Sequence, residues 1–347
     1  MVKSRAAPVP DVLKLFEMLS LISQFSNLRI LVIGDLMLDH YIWGDVHRIS
    51  PEAPVPVVHA SRDTWAAGGA ANVALNLANL GVQTTVIGHL GDDDAGKRLY
   101  QILLEHQVAA PRKPMATPAP TIIKTRVMAR GQQLCRIDRE ASSHSYQMTQ
   151  DGDFPQTLTQ ALATADAVIL SDYAKGMINQ QIMDQVLAER AETKRLVAID
   201  PKPSRRLSFR NSGLLTPNRA EALELAGITG IHPDEPYPLD LVCRRIHEIY
   251  TPELLVITLG AEGMAVCQNG CVQELIPTHA REVFDVSGAG DTVIAALTAA
   301  LAAGAAPVDA ARLANIAAGC VVAHMGTVPV QLDEVLREIA RPPTEIR

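Results

Sequence analysis

The sequence lacks any excess of positive charge. Lys and Arg number 31 against 38 Asp and Glu, a net charge of −7, which argues against a general nucleic-acid binder. It also lacks a disulfide framework. The five cysteines, Cys135, Cys243, Cys267, Cys271 and Cys320, are odd in number and scattered, a usage that suits reduced cytosolic thiols. Cys267 and Cys271 flank Gln268-Asn269-Gly270, whose Asn-Gly signals a hairpin turn, and no second Cys/His pair with zinc-like spacing accompanies them. Outside Ala-rich segments near the C-terminus, which read as buried helices, no apolar stretch of about 18 residues is free of charged or strongly polar breaks. Asp11, Lys14 and Glu17 interrupt the apolar run after Lys3 and Arg5. No signal peptide is therefore expected, and the expected compartment is the cytoplasm, with neither membrane nor nucleic acid as partner. Two nucleotide fingerprints are missing too. Gly91-Asp92-Asp93-Asp94-Ala95-Gly96-Lys97-Arg98 nearly spells a P-loop, but Arg98 stands where a Ser or Thr should hold magnesium, and the aspartates would face the phosphates. It reads instead as a loop and helix start. No Gly-x-Gly-x-x-Gly follows a strand with an acidic residue about 20 positions on, which argues against an NAD-dependent dehydrogenase.

What is present is an ordinary soluble composition, 48% hydrophobic and 20% charged, over 347 residues, enough for one large domain or one domain with a small appendage. Val12, Leu15, Phe16, Leu19 and Ile22 give residues 11–25 a helical period. A buried strand follows at 28–34. Residues 41–60 carry prolines at 51, 54 and 56, which keep them out of a central strand and suggest edge strands and loops. Gly68 begins a glycine turn leading into a helix with Val73, Leu77 and Leu80 on one face, and a strand at 84–88 comes next. From 167 onward, strands at 167–171, 195–199, 213–215 and 254–259 alternate with helical segments, the pattern of a mostly parallel sheet covered by helices. The β pieces near 41–60 and 120–138, the latter with a turn near Gly131, break this rhythm. They are expected to form a small separate sheet.

The most informative run is Asp285-Val286-Ser287-Gly288-Ala289-Gly290-Asp291-Thr292, followed by an Ala-rich helical stretch that Gly304 and Pro307 stop. Gly288 and Gly290 permit a tight turn with bare amides at a helix N-terminus, where free N–H groups and the helix dipole favour anions. Asp291 falls in the first turn, and the dipole is expected to keep it ionised. An anion hole beside an ionised carboxylate suits phosphoryl transfer to a hydroxyl. The bland alternative is that Asp291 is only a good helix-start residue.

Other runs join it. Gly34-Asp35-Leu36-Met37-Leu38-Asp39 puts two carboxylates at the end of the first strand, in the crevice where α/β sheets bind ligands; they either hold sugar hydroxyls or cap a turn. Gly68-Gly69-Ala70-Ala71-Asn72 offers a backbone that a ligand can approach closely. Asn218 and Glu221, three apart at a helix start, share a face suited to ordering magnesium waters and phosphates. Thr258-Leu259-Gly260-Ala261-Glu262-Gly263 is a second glycine turn at a strand end.

In this order these residues resemble the ribokinase-like (carbohydrate kinase PfkB) family over roughly residues 28–330. Gly68 to Ala74 looks like its N-terminal signature and Asp285 to Thr292 like its C-terminal one. The resemblance implies an α/β fold with a mostly parallel central sheet and a β-sheet lid, the lid being the two stray β pieces. It implies Asp291 as catalytic base, and Gly288, Ala289 and Gly290 as the anion hole. It further implies Asn218 and Glu221 for magnesium and phosphate, and Thr258, Gly260 and Gly263 for the nucleotide. Asn315 would line the adenine pocket, and Asp285 and Ser287 would help bind a monovalent cation such as K+. ATP and Mg2+ are the implied cofactors. The domain plan that follows is a helical extension over 1–27, a kinase domain over 28–340 and a tail over 341–347.

More narrowly, Gly34 to Asp39, Arg48 to Val57, Arg130 to Leu134, Arg136-Ile137-Asp138, Ser171 to Gly176 and Asp200-Pro201-Lys202 are similar to the heptose 7-phosphate kinase domain of ADP-heptose synthesis, here in a form that looks stand-alone. Gly131 and His324 depart from that pattern, where Asn and Lys are expected. The implied acceptor is the anomeric hydroxyl of D-glycero-D-manno-heptose 7-phosphate, with Asp35, Asp39, Gly68, Gly69 and Asn72 about the sugar. Lys124 and Arg126, two apart on one strand face, and Arg136 nearby suit a phosphate monoester, or else they blunt a solvated edge. Lys175 is a candidate for the phosphate of sugar or ATP. Relatives often pair two lids, so a homodimer is expected. The alternatives are a kinase of another sugar phosphate or a nucleoside, and a catalytically idle nucleotide-binding regulator, against which the presence of Asp291 speaks.

Overall fold

The structure is a computed structural model, and it describes residues 12–110, 118–147, 153–230, 235–280 and 282–341. The chain opens with α1 (Val12–Ser23), β1 (Arg29–Gly34), β2 (Leu36–Ile49), β3 (Pro56–Gly69), α2 (Ala70–Asn79), β4 (Gln83–Ile87) and α3 (Asp94–Glu105). It continues with β5 (Ile122–Ala129), β6 (Gln132–Arg139), α4 (Phe154–Thr164), β7 (Ala167–Ser171), α5 (Gln180–Thr193), β8 (Leu196–Asp200), β9 (Leu214–Leu215) and α6 (Arg219–Leu225). It ends with α7 (Leu239–Tyr250), β10 (Leu254–Thr258), β11 (Met264–Gln268), β12 (Cys271–Ile276), α8 (Ala289–Ala302), α9 (Pro307–Val321) and α10 (Leu332–Ile339).

Two sheets result. The main one has the order β12-β11-β10-β9-β8-β7-β1-β4, parallel from β10 to β4, with an antiparallel β11–β12 hairpin at one edge. Its central strands β1, β7, β8 and β10 are buried on both faces, which explains their apolar runs. In β1, Ile30 and Val32 enter the core shared with α2, α8 and α9, while Leu31 and Ile33 enter the opposite core with α4, α5 and α7. Ile22 and Phe25, at the end of the N-terminal extension, are buried in the first of these cores. The β11–β12 turn is Asn269-Gly270, both at positive φ (52° and 74°), so Cys267 and Cys271 are hairpin strand residues as expected.

The second sheet has the order β3-β2-β5-β6 and is the separate β layer expected from the two stray pieces. Its strands are longer than the sequence suggests: β2 and β3 span 36–49 and 56–69, not 41–60. The prolines fall in the turn and at the first residue of edge strand β3, where a missing N–H costs no ladder bond. Gly68 and Gly69 are accordingly not a turn but the end of β3, paired with Met37 and Leu36. Gly69 then switches the chain into α2 at φ 57°, and a Cβ there would lie 2.6 Å from the Asp35 carbonyl oxygen. The β5–β6 turn is Arg130-Gly131, at φ 50° and 79°. Asp93, in the near-P-loop, caps α3 by accepting the Gly96 N–H at 2.7 Å, and also binds Thr121.

The strand order reverses beside β1, which has β4 on one side and β7 on the other. Such a switch point opens a crevice beyond the carboxyl ends of the strands. Gly34, Ser171, Asp200 and Thr258 end four of those strands, and the second sheet reaches over the same end through β2, whose first residue is two beyond the last of β1.

Candidate active site

α8 starts at this crevice. Its N-cap is Gly288, in the left-handed region at φ 80°, and a Cβ there would lie 2.6 Å from Asn72 Nδ2. The first intrahelical bond runs from the Thr292 N–H to the Gly288 carbonyl at 3.1 Å, so the amides of Gly290 and Asp291 precede the helical ladder and are open to an anion. The Ala289 N–H bonds instead to the Val286 carbonyl at 3.2 Å.

Asp291 is 2% exposed, with both carboxylate oxygens engaged. Tyr173 donates its hydroxyl to Oδ1 at 2.6 Å, and Asn72 donates Nδ2 to Oδ2 at 2.8 Å. Burial dominates its ionisation. It pushes the carboxyl up to about 7, against the downward pull of the Tyr173 and Asn72 hydrogen bonds, with Asp39 adding a further upward push. The expectation that the helix dipole keeps Asp291 fully ionised is therefore corrected: desolvation outweighs the helix terminus. A carboxyl near 7 remains well matched to taking a proton at neutral pH.

Several expected sugar ligands are already committed within the protein. Asn72, fully buried, spends its amide on Asp291 and accepts from Asn76 Nδ2 at 3.2 Å. Asp35 accepts the N–H groups of Tyr173, Lys175 and Met177 at 2.9, 3.0 and 2.9 Å, and so shapes the loop after β7. Asp39 accepts from Arg126 at 2.7 Å and from the Thr327 hydroxyl at 2.9 Å. Arg126 is thus neutralised by Asp39 and lies over the Tyr41 ring, 5.2 Å from its centroid, in place of the free phosphate partner expected from strand parity. The sequence shows residue types, not which donor faces which acceptor across 87 or 219 positions.

The remaining cations gather nearby. Strand register sets Asp39 beside Lys124 and Lys124 beside Asp138, while Arg126 faces Arg136. Arg136 forms a two-point ion pair with Asp138 at 2.8 and 3.0 Å, and Lys175 pairs with Glu140 at 2.7 Å. Half-buried Lys124 has no ion pair among the described residues. Burial, then the neighbouring charge of Lys175, lowers its ammonium pKa.

The far side of the crevice holds the expected nucleotide residues. Asn218 and Glu221 form a capping box on α6: Asn218 Oδ1 accepts the Ala220 and Glu221 N–H groups, and Glu221 Oε2 accepts the Asn218 N–H, all at 3.0 Å. Glu221 Oε1 also meets Lys202 at 2.9 Å. The capping role was readable from Asn-x-x-Glu itself. Thr258 ends β10, and the turn from Gly260 to Gly263 closes with the Leu259 N–H on the Gly263 carbonyl at 2.8 Å. Asn315 on α9 donates to the Pro277 carbonyl at 2.7 Å. Asp285 accepts the N–H groups of Ser287 and Gly326, at 2.9 and 3.0 Å, and ties its turn to the segment after α9.

Carboxyl groups crowd between these two sides and resist ionising together. The Asp200 carboxyl is held well above its ordinary range by burial, then by Glu221 and Asp291, and Asp172 is pushed up to about 7, chiefly by burial. No group of three or more metal-ligating side chains converges among the described residues. The donors fit a hard divalent cation carried in on phosphates and waters, which needs only one or two protein carboxylates and would relieve this repulsion.

An anion-binding helix start, a buried carboxyl that titrates near neutrality and a capping β layer at the switch point of a parallel sheet define a phosphotransferase acting on a hydroxyl. The chain belongs to the pfkB family of carbohydrate kinases, whose sequence profile matches residues 27–333, and it is a sugar kinase. Among curated proteins it is 40% identical over 315 residues to the bifunctional protein HldE of Magnetococcus marinus, covering 90% of this chain and 64% of that protein. It is 41% identical over 321 residues to HldE of Pelobacter propionicus, covering 92% and 65%. The chain thus spans less than two thirds of the length of these relatives. Among solved structures it shares the fold of Arabidopsis thaliana ribokinase complexed with ribose and ATP, at TM-score 0.67 and 22% identity over 90% of this chain and 99% of that one. Phosphofructokinase-2 of Escherichia coli in complex with potassium gives TM-score 0.71 and 20% identity over 90% and 98%. The fold is ribokinase-like. No helix among the described residues is long and apolar enough to cross a membrane.

Proposed function

We propose that this kinase transfers the γ-phosphoryl group of ATP to the anomeric hydroxyl of D-glycero-D-manno-heptose 7-phosphate, giving the 1,7-bisphosphate used to build ADP-heptose for the lipopolysaccharide core. Two things support the substrate: the likeness to HldE proteins and the basic cluster on the β layer. The observation that carries it is Lys124, a half-buried ammonium with no ion pair among the described residues, set beside Lys175 and Arg136. A half-buried ammonium whose neighbouring carboxylates pair with other cations calls for an anion, and a sugar that already bears a phosphate supplies one.

In this reading Asp291 takes the proton of the acceptor hydroxyl, while the Gly290 and Asp291 amides stabilise charge growing on the transferred group. Asn218, Glu221, the 258–263 turn and Asn315 receive the nucleotide. Glu221 and Asp200 would hold a Mg2+ ion through water, and the ion would neutralise the charge of the phosphates. Asp285 and Ser287 form the monovalent-cation turn. Closure of the β layer keeps water, a competing acceptor, from the γ-phosphoryl. The reading also makes the protein a cytoplasmic homodimer through that layer. Its edge strand β6 is exposed along its whole length, with Leu134 40% and Ile137 57% exposed, a surface that needs cover. Light scattering at micromolar concentration tests the dimer.

The substrate test is ADP release across a panel of sugars. Heptose 7-phosphate should give the highest kcat/KM and unphosphorylated heptose a poor one. Equal use of both, or preference for a hexose phosphate or a nucleoside, would overturn the assignment while leaving the chain a kinase of the pfkB family.

A further inference from the structure

The proposed mechanism leaves Tyr173 without a role, although its hydroxyl lies 2.6 Å from Asp291 Oδ1. We propose that Tyr173 is a positioning residue that orients the Asp291 carboxylate and favours its ionised form. The inference rests on Asp291 as the base.

The loop that carries Tyr173 is built to hold it in place. The Asp35 carboxylate gathers three of its backbone N–H groups, Tyr173's own among them, and Asp172 accepts the Ala174 N–H at 2.8 Å. Ala174 sits in the left-handed region at φ 58°, a conformation a non-glycine residue holds only when its surroundings enforce it. The ring packs on the small cluster of Met37, Ile122 and Tyr146. Contacts from β2, β5 and the β1–β2 junction therefore converge to place one hydroxyl.

The direction of the effect follows from the donor. The phenol's pKa is raised well above its ordinary value, first by burial and then by Asp291, so the group stays protonated and donates. A donor to a carboxylate stabilises the ionised form, and the Tyr173 hydrogen bond is the largest influence pulling Asp291 down against burial. The other charged groups facing Asp291 are Asp39 on β2, already paired with Arg126, and Asp200 on β8, near Lys202. Asp39 opposes ionisation of Asp291, and Asp291 in turn helps to hold the Asp200 carboxyl up. An ionised carboxylate offers about four acceptor positions. Tyr173 and Asn72 use two, which leaves room on the same group for the acceptor hydroxyl, so Tyr173 need not leave during the reaction.

The test is the pH dependence of kcat/KM for Tyr173→Phe, which keeps the ring and removes only the hydroxyl. Losing one charge-assisted hydrogen bond should move the acidic limb up by about one to two pH units. Activity at pH 7 then falls roughly five-fold to fifty-fold, recovers above about pH 9 to 10, and the KM for ATP barely moves. The sugar phosphate's own titration is common to both enzymes, so the difference reports the base. A uniform loss at every pH would mean a merely structural role and would overturn the proposal, as would an unmoved limb. Should the Phe variant not fold, 3-fluorotyrosine placed at position 173 decides. Its stronger O–H donor should move the limb downward, and an unmoved limb refutes the idea. Asp291→Asn separates the two readings. If it stays active, the base assignment fails; if it is dead while the Tyr173→Phe limb is unmoved, only the role of Tyr173 fails.

Discussion

Replacing Gly288 by Ala adds one methyl group at the point where the candidate base and its anion hole meet. Two costs can be worked from the structure. Gly288 sits at φ 80°, so any Cβ there strains the backbone by about 1–3 kcal/mol. That Cβ would also lie 2.6 Å from Asn72 Nδ2, and Asn72 is fully buried and cannot swing into solvent. The amide must shift off Asp291 Oδ2, forfeiting a hydrogen bond to a charged group worth about 1.5–3 kcal/mol. The sum, about 2.5–6 kcal/mol, divides between a lower Tm and a lower kcat. Even half of it in the transition state lowers kcat by roughly 10-fold to 100-fold. Gly290→Ala is the control, because a Cβ at that position meets nothing within 4 Å and the residue lies in ordinary helical backbone. It should keep the wild-type Tm. ADP release under saturating ATP, together with thermal unfolding, reads both variants. Wild-type kcat and Tm in Gly288→Ala would refute the claim that Asn72 holds the base through this close contact.

Asp291→Asn should lower kcat by roughly 10²–10⁴-fold with the KM for ATP largely kept, measured by ADP release. The same carboxyl makes stability depend on pH. Its folded pKa, about 7, lies above its ordinary 3.8, so its favourable contribution is complete below about 3.8 and is lost as pH rises through 7. Asp172 follows the same rule, and Asp172→Asn should raise Tm relative to wild type at pH 8, with the gap closing toward pH 4; a gap that widens on acidification would contradict the sign. Lys124→Ala should raise the KM for the sugar phosphate about ten-fold or more while sparing the KM for ATP, since one charge-assisted phosphate contact is worth about 1.5–3 kcal/mol. Movement of the ATP KM alone would assign Lys124 to the nucleotide. Asp35→Ala orphans three buried N–H groups and should destabilise the protein by several kcal/mol in denaturant unfolding, beyond what loss of one sugar contact explains.

Much of this molecule was settled by local chemistry, and that part was legible in the sequence. The parallel sheet announced itself because β1, β7 and β10 are buried on both faces and therefore read as unbroken apolar runs. The α8 start was legible because a left-handed N-cap demands glycine, and the β11–β12 hairpin because Asn-Gly suits its turn. The prolines at 51, 54 and 56 correctly marked an edge but concealed how far β2 and β3 run past it, since pairing length depends on the partner strand. What the tertiary structure alone decided is which polar group meets which. Asp35 and Asp39 look alike in the sequence, yet one organises the Tyr173 loop and the other neutralises Arg126. Asn72 meets the candidate base across 219 positions, and Tyr173 reaches it across 118. Nor could the sequence weigh burial against the helix dipole at Asp291. Desolvation depends on how much protein surrounds a group on every side, and that is fixed only when distant segments close over it.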